Sequence, residues 1–379
     1  MQILHYCARL RLSDGGVVRA VLDLTEALAA RGKNVTLMST EGDDSPEATT
    51  GVQVVKTGPF DRRPIRFSPQ KLQELTERIA AADIMHLHTP WEPANIQLAK
   101  IARSCGTPYI ISVHGMLDDW VMKTSTLKKN MYLMLGGKKL LNGASAVHCT
   151  AEAEAAQVQK RISKANISVV PLVFNPDGYL NPPPTSDPDK HWQGWEPPPP
   201  VVLFLSRIHP KKGVDRLIEA MSIVCKTHDV KCIIAGSGDA AYEIELRGIV
   251  ESLNLQQHVD FAGFVQGDRK TALYRIANMF ALPTSQENFG LVFPEAMACS
   301  LPVITTRGVD IWPELEASGG ALIISEKPEA IAAAIIKLLD DDLKRKEMGE
   351  SARKWVVDSF TGDTVVNKYI DVYRRAMNE

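Results

Sequence analysis

The stretch VVLFLSRIHPKKGVDRLIEAMSIVC, Val201–Cys225, decides the fold. Its first six residues, Val201–Ser206, form a short apolar run that reads as a strand. A polar loop follows, Arg207-Ile-His-Pro-Lys-Lys-Gly213. Val214, Leu217, Ile218, Met221 and Val224 then fall at helical spacing, which predicts a helix over Val214–Cys225. Strand, loop and amphipathic helix in that order are the building unit of an α/β sheet.

The same unit recurs on both sides. Upstream, Gln2–Cys7, Asn34–Ser39, Asp83–His88, Tyr109–Val113 and Ala144–Cys149 read as strands, with a helix at Val17–Ala30 that Gly32 stops. Downstream, Val230–Ala235, Val259–Ala262, Met279–Leu282 and Pro302–Thr305 continue the strand signal. Such alternation predicts parallel sheets with helices on both faces. Between the two runs, Asn175–Pro200 breaks the pattern with clustered prolines, Pro182–Pro184 and Pro197–Pro200 among them. Proline fixes φ and removes the amide donor, so this stretch reads as a semi-rigid extended linker. The expected architecture is therefore two Rossmann-like doubly wound α/β domains, residues 1–174 and 201–361, joined by a linker at 175–200 and facing an interdomain cleft. A last helical segment, within 362–379, is expected to return to the first domain.

Bulk properties bound the function. A chain of 379 residues is too long for one ordinary core. Hydrophobic content of 45% and charged content of 23% are those of a soluble globular protein. A formal charge of -2 argues against nucleic acid as a partner, since such binders carry a basic excess. Six cysteines in so long a chain, without a CxxC pair, suit reduced thiols in a cytosol rather than a disulfide framework. Met1 leads straight into a strand with no leader-like segment, and there is no apolar run long enough to span a bilayer, so a cytoplasmic location is expected.

Two local signals carry chemistry. In an open α/β sheet, ligands bind at the carboxyl ends of the strands, where the Arg207–Gly213 loop must lie. Arg207 and Lys212 there bring two positive charges beside a helix start, which itself attracts anions, so a diphosphate fits. The second signal is Glu287-Asn-Phe-Gly-Leu-Val-Phe-Pro-Glu295. Its two carboxylates flank a strand-to-helix junction, and carboxylates accept hydrogen bonds from the vicinal diols of ribose and hexose. Gly290 lets backbone amides approach a ligand closely.

Arg207 with Lys212-Gly213, followed by Glu287 and Glu295, resembles the retaining nucleotide-sugar glycosyltransferases of family 4, which have the GT-B fold. Asp14-Gly15-Gly16 before the first helix resembles the family's Gly-rich loop. Ser112-Val-His114-Gly115 resembles the strand end that carries its active-site histidine, and Trp312-Pro-Glu-Leu315 fits its C-terminal domain. The proline-rich linker is longer than the family needs. The resemblance implies that Arg207 and Lys212 neutralise the leaving diphosphate and that Gly15 and Gly16 meet the same phosphates. It implies that Glu295 holds the ribose, that Glu287 with the backbone of Asn288, Phe289 and Gly290 orients the transferred sugar, and that His114 contacts that sugar. The implied reaction moves a hexose or N-acetylhexosamine from a nucleotide diphosphate sugar to a glycan or lipid-linked acceptor in surface polysaccharide or glycan assembly. No cofactor and no metal are implied. A nucleotide-sugar epimerase or hydrolase, or a non-catalytic nucleotide-sugar-binding module, remain open on the same fold.

Other signals point less far. Gly236-Ser-Gly238-Asp-Ala-Ala241 resembles a dinucleotide fingerprint, but its place in the domain and the position of Asp260 do not fit one. His86, His88, His114 and His148 fall near strand ends without ligand-like carboxylates, so they are expected to line the cleft or to be satisfied structurally rather than to bind metal. Asp187-Pro-Asp189 and Asp340-Asp-Asp342 read as solvated loops. Residues 120–141 mix Trp120, Val121, Met122, Leu127, Met131, Leu133, Met134 and Leu135 with Lys123, Lys128, Lys129, Lys138 and Lys139, a basic amphipathic stretch that suits peripheral contact with the inner face of a membrane or with a lipid-phosphate acceptor.

Overall fold

The computed structural model describes all residues except 12–15, 41–49, 59–60, 63–64, 182–198, 361–362 and 379. The chain forms two compact units, Met1–Phe174 with Asp363–Glu379, and Asn175–Gly362. Each is an α/β unit around one parallel sheet, as the alternation predicts.

In the N-terminal unit the strands are β1 (Gln2–Tyr6), β2 (Asn34–Ser39), β3 (Val52–Lys56), a small antiparallel pair β4 (Asp61–Arg62) and β5 (Ile65–Arg66), then β6 (Ile84–His88), β7 (Tyr109–Ser112), β8 (Ala146–Cys149) and β9 (Ile167–Val169). The seven-stranded sheet runs β3-β2-β1-β6-β7-β8-β9. In the second unit β10 (Val201–Leu205), β11 (Lys231–Ala235), β12 (Val259–Gly263), β13 (Met279–Leu282), β14 (Val303–Thr306) and β15 (Ala321–Ile324) run β12-β11-β10-β13-β14-β15. Both orders reverse beside the first strand, at β1/β6 and at β10/β13. Those two places are the topological switch points, where a doubly wound sheet opens a crevice at its carboxyl edge.

The central strands are legible because they are buried on both faces; β10 and β13 have no exposed residue. Strands β3, β9 and β15 escape a reading by apolar runs. They are short sheet edges, half-buried along their length, so their sequences carry less contrast with the loops around them. Residues 175–180, expected as extended linker, include instead a helical turn, Asp177–Leu180, packed against helix Val292–Ala298. Arg353 Nη2 holds it by donating to the Leu180 carbonyl at 2.8 Å. Pro182–Pro184, Pro197, Pro198 and Asp187–Asp189 lie outside the described residues.

Period-two alternation splits the N-terminal core. Leu4, Tyr6, Met85, Leu87, Tyr109, Ile111, Val147 and Cys149 enter one apolar cluster. The intervening residues His5, His86, His88, Ser112 and His148 therefore point to the opposite face. Helix Thr364–Asn378 lies against β6 and β7, and it buries Tyr369 and Tyr373. Each large apolar side chain so buried contributes about 1.5–3 kcal/mol.

Candidate functional site

At the switch point of the second unit, two loops are tied together through backbone. After β10, His209 Nδ1 accepts from Lys211 N at 3.2 Å and opens the 3-10 turn Pro210–Lys212. Gly213 ends the turn at φ 72°, and a Cβ there would sit 2.4 Å from the Pro283 carbonyl. Only glycine allows that approach. The Lys211 carbonyl accepts from Ser285 N at 2.8 Å and from Thr284 Oγ1 at 3.1 Å, so the loop after β13 is anchored to the loop after β10. Gly236 and Gly238 brace the other side. A Cβ on either would lie within 2.0 Å of the Ser206 or Ile208 carbonyl, and Ile208 N donates to Ser237 O at 2.9 Å. Those glycines serve close packing of backbone on backbone.

Lys212 is buried, at 5% exposure, and its ammonium is paired with the Glu287 carboxylate. The two residues that the sequence assigns to phosphate and to sugar thus meet directly. Glu287 is set by its backbone: its N donates to Gly308 O at 2.8 Å, and Asp310 N donates to its carbonyl at 3.0 Å. Asn288 Nδ2 donates to Asp310 Oδ2 at 3.2 Å. The Phe289 ring is buried against Phe360, so what this residue offers outward is main chain. Gly290 sits at φ 68°, with its bare Cα facing the Phe293 ring and Glu287. Arg207 is exposed beside this turn.

Glu295 is buried on helix Val292–Ala298. Lys270 Nζ lies 2.6 Å from its carboxylate, and the Tyr274 hydroxyl donates to Oε2 at 2.8 Å. Burial and the neighbouring Glu295 charge push the Tyr274 phenol well above its usual pKa, so it stays a donor. A carboxylate accepts about four hydrogen bonds, which leaves capacity for a diol. Lys270 and Tyr274 were missed in the sequence. Their spacing of four residues on one helix face was the signal that could have found them.

The N-terminal unit places Gly16 at the exposed start of helix Gly16–Ala30, and Gly15 lies outside the described residues. His114, partly buried, adopts φ 51°, and Gly115 follows at φ 71°. A left-handed non-glycine residue costs about 1–2 kcal/mol, and such strain needs an external hold. Glu154 supplies one. Its buried carboxylate accepts from Gly115 N, from Thr150 N at 2.5 Å and from Thr150 Oγ1 at 2.9 Å. His86, His88 and His148 are buried and hydrogen-bonded within the unit, the structural alternative for these rings. His5 joins them. Among the described residues, His5, His86 and His88 set potential metal-ligand nitrogens within 4.8 Å of one another. Both His86 nitrogens are already engaged, by Tyr373 OH at 2.8 Å and Ser112 Oγ at 2.7 Å, so an ion would have to break that chain.

Comparison with known proteins fits this geometry. Residues 14–177 match the family described as Glycosyltransferase Family 4, and residues 187–355 match Glycosyl transferases group 1. The chain belongs to the group 1 and family 4 glycosyltransferases. This glycosyltransferase is 24% identical over 385 residues to an uncharacterized glycosyltransferase of Methanocaldococcus jannaschii, covering 96% of this chain and 95% of the relative. It is 28% identical over 353 residues to a phosphatidyl-myo-inositol mannosyltransferase of Mycolicibacterium smegmatis, covering 87% and 83%. The structure of Anabaena Alr3699/HepE in complex with UDP superposes with a TM-score of 0.80 at 20% identity, over 98% of this chain and 99% of that one. The GT-B architecture is thereby shared. Among the described residues, no helix of the glycosyltransferase is long and apolar enough to cross a membrane.

Proposed function

We propose that this glycosyltransferase is a retaining enzyme that moves a hexose or N-acetylhexosamine from a nucleotide diphosphate sugar to a glycan or lipid-linked acceptor. The observation that carries the reading is the Lys212–Glu287 ion pair at the β10/β13 switch point, beside the exposed Arg207. The UDP and UDP-glucose complexes of the Anabaena protein support a nucleotide sugar as donor. The inositol-lipid mannosyltransferase among the relatives supports a lipid-linked acceptor.

In this scheme Arg207 and Lys212 meet the diphosphate, Glu295 takes the ribose diol, and Glu287 with the main chain of Asn288–Gly290 orients the sugar. The bond from the anomeric carbon to the diphosphate oxygen breaks, and the acceptor oxygen bonds to that carbon on the same face. The acceptor proton passes to the departing phosphate, so no carboxylate base is assigned. Negative charge grows on the diphosphate as the bond breaks, and fixed cations aimed at it stabilise the transition state by about 2–4 kcal/mol each, by analogy with single oxyanion-hole donors. Charge neutralisation by Arg207 and Lys212 leaves no step that requires a metal.

The acceptor side is proposed to be a membrane surface. Leu127, Met131, Met134 and Leu135 are 83%, 54%, 82% and 77% exposed, and Trp120 is 44% exposed. Lys123, Lys128, Lys138 and Lys139 stand exposed among them, and no acidic residue occurs from 120 to 151. Apolar side chains inside an unbalanced basic field suit an anionic bilayer.

Thermal-shift measurements with UDP-, GDP-, ADP- and dTDP-sugars test the donor half, because a ligand that binds the folded state raises the melting temperature. At least one is expected to do so. If none does, the donor assignment is wrong. The anomeric configuration of the product, read by NMR, then decides retention.

A further inference from the structure

The imidazoles under helix Thr364–Asn378 form two hydrogen-bonded chains, and elementary donor–acceptor logic orients both. In the first, the Val170 carbonyl can only accept, so His148 Nε2, 2.8 Å away, carries a proton. A neutral His148 then has a bare Nδ1, which accepts from Ser112 Oγ at 2.7 Å. Ser112 Oγ in turn accepts from His86 Nε2 at 2.7 Å, and the bare His86 Nδ1 accepts from Tyr373 OH at 2.8 Å. The Tyr369 hydroxyl, 3.1 Å from His148 Nε2, then accepts a share of the same N–H, and every bond in this chain has one direction.

The second chain runs His5 Nδ1 to His88 Nε2 at 3.0 Å, and His88 Nδ1 to His114 Nε2 at 3.1 Å. Its rings are near-parallel, with interplanar angles of 15° and 26°. The chain ends inside the protein at His5 Nε2, which is buried without a partner. Two orders are open to neutral rings. If protons point inward, His114 Nε2 donates to His88, His88 donates to His5, and a buried N–H is stranded at His5. If protons point outward, His5 strands only a lone pair. Orphaned buried N–H groups are rarer than under-satisfied acceptors, so the outward order is favoured. Burial supports neutrality, since it pushes the pKa of His5 and His114 down to about 3.

We infer that His5 and His88 form a buried relay that holds His114 as the Nδ1–H tautomer, so that His114 offers its substrate a hydrogen-bond donor and no basic nitrogen. His5 and His88 are positioning residues, acting only through His114. The tautomer stands on the hydrogen-bond geometry and on the neutrality of the buried rings; its use towards a sugar hydroxyl rests on the proposed function.

Long-range proton–nitrogen NMR of the full chain labelled with 15N-histidine reads the tautomer without any turnover, with His114 assigned by the signals lost in His114→Asn. The expected result at pH 7 is a protonated Nδ1 and a bare Nε2 on His114, with His5 Nε2 bare. A His114 Nε2–H tautomer, or an imidazolium, overturns the inference. So does a perturbation of the His5 and His88 signals by stoichiometric zinc, which would make the group a metal site. Where a donor and acceptor are in hand, His88→Leu is expected to lower kcat about tenfold with donor KM unchanged. His88→Asn, whose amide can replace the Nδ1 donor, is expected to recover most of that loss. Equal losses in both variants reduce His88 to packing. A failed donor screen with the expected NMR result sinks the function and spares the relay.

Discussion

The two sheets share one strand order up to the sixth strand and fill the same switch point with opposite chemistry. Beside β1/β6 stand neutral imidazoles whose protons are handed along hydrogen bonds. Beside β10/β13 stand an ammonium and a carboxylate in contact, Lys212 with Glu287, and a second such pair nearby in sequence, Lys270 with Glu295. A buried ion pair is half of a ligand site: either partner can exchange the other for a charge or a diol brought in from outside. A neutral relay cannot exchange in that way, but it fixes which atom is a donor. On the proposed function, the second unit then binds charge and the first orients a single contact, although the scaffold is the same.

Acidification should expose the difference most strongly. Burial holds His5 and His114 near about 3 and His148 near about 4, whereas the unfolded chain protonates its histidines near 6.5. Above about pH 6.5 the rings are neutral in both states and the stability is fully present. As pH falls below that value the unfolded chain takes up protons that the fold refuses, so stability is lost from about 6.5 down towards 4 and then 3. At pH 5 each such ring costs about 2 kcal/mol, roughly 6 kcal/mol for the three. Hydrogen exchange corrected for intrinsic rates should show β6 and β7 losing protection between pH 7 and 5 while β10 and β13 keep theirs. Equal loss in both sheets would erase the contrast.

The next effect lies at the ion pair. Lys212→Ala should lower kcat/KM about 100- to 1,000-fold, the scale of one lost transition-state donor of about 2.7–4 kcal/mol. Lys211 is the internal control. Its backbone carbonyl ties the two loops and survives substitution, and only the bond from Nζ to Gln286 Oε1 at 2.9 Å is lost, about 1 kcal/mol, so Lys211→Ala should stay within about a factor of five. Similar losses at both positions would mean that the turn is merely basic.

Glu295→Leu sharpens the same point through stability. It leaves the Lys270 ammonium without its carboxylate and the buried Tyr274 hydroxyl with only the Val292 carbonyl at 3.4 Å, and should cost about 3 kcal/mol in denaturant unfolding. Glu295→Gln keeps an acceptor and should cost less. If a nucleotide sugar stabilises Glu295→Gln as well as it does the natural protein, Glu295 does not hold the ribose.

Sequence patterns reached these regions unequally. The charged turn was legible because strand, loop and helix follow one another within Val201–Cys225, and the switch point fixes where such a loop lies. The Lys212–Glu287 contact was not, because it joins residues whose strands are neighbours only after β10 pairs with β13. His86, His88, His114 and His148 were visible as strand-end histidines. Their partners were not: His5 comes from β1 through register with His86, and Tyr369 and Tyr373 come from the far end of the chain. Local periodicity shows which face a residue takes, and long-range pairing decides whom it meets there. Glu154 was hidden for the same reason, since a glutamate in the first turn of a helix ordinarily reads as a surface acid.

The smallest expected effect concerns surfaces. In the second unit the exposed large apolar residues stand singly along the chain, such as Ile244, Phe264 and Leu343, and need no explanation. In the N-terminal unit they gather within 120–135, beside lysines. A lysine near an anionic bilayer contributes about 1 kcal/mol, so Lys138→Ala with Lys139→Ala should weaken sedimentation with anionic vesicles by about 2 kcal/mol, or roughly 30-fold. Binding should also fall steeply as salt rises. Met134→Ser with Leu135→Ser should weaken it further without moving the melting temperature, because neither side chain is buried. Phe264→Ser should change nothing. If the lysine variants sediment like the natural protein, or if neutral vesicles bind equally well, charge does not bring this surface to a bilayer. The contrast between the two units would then reduce to their buried sites.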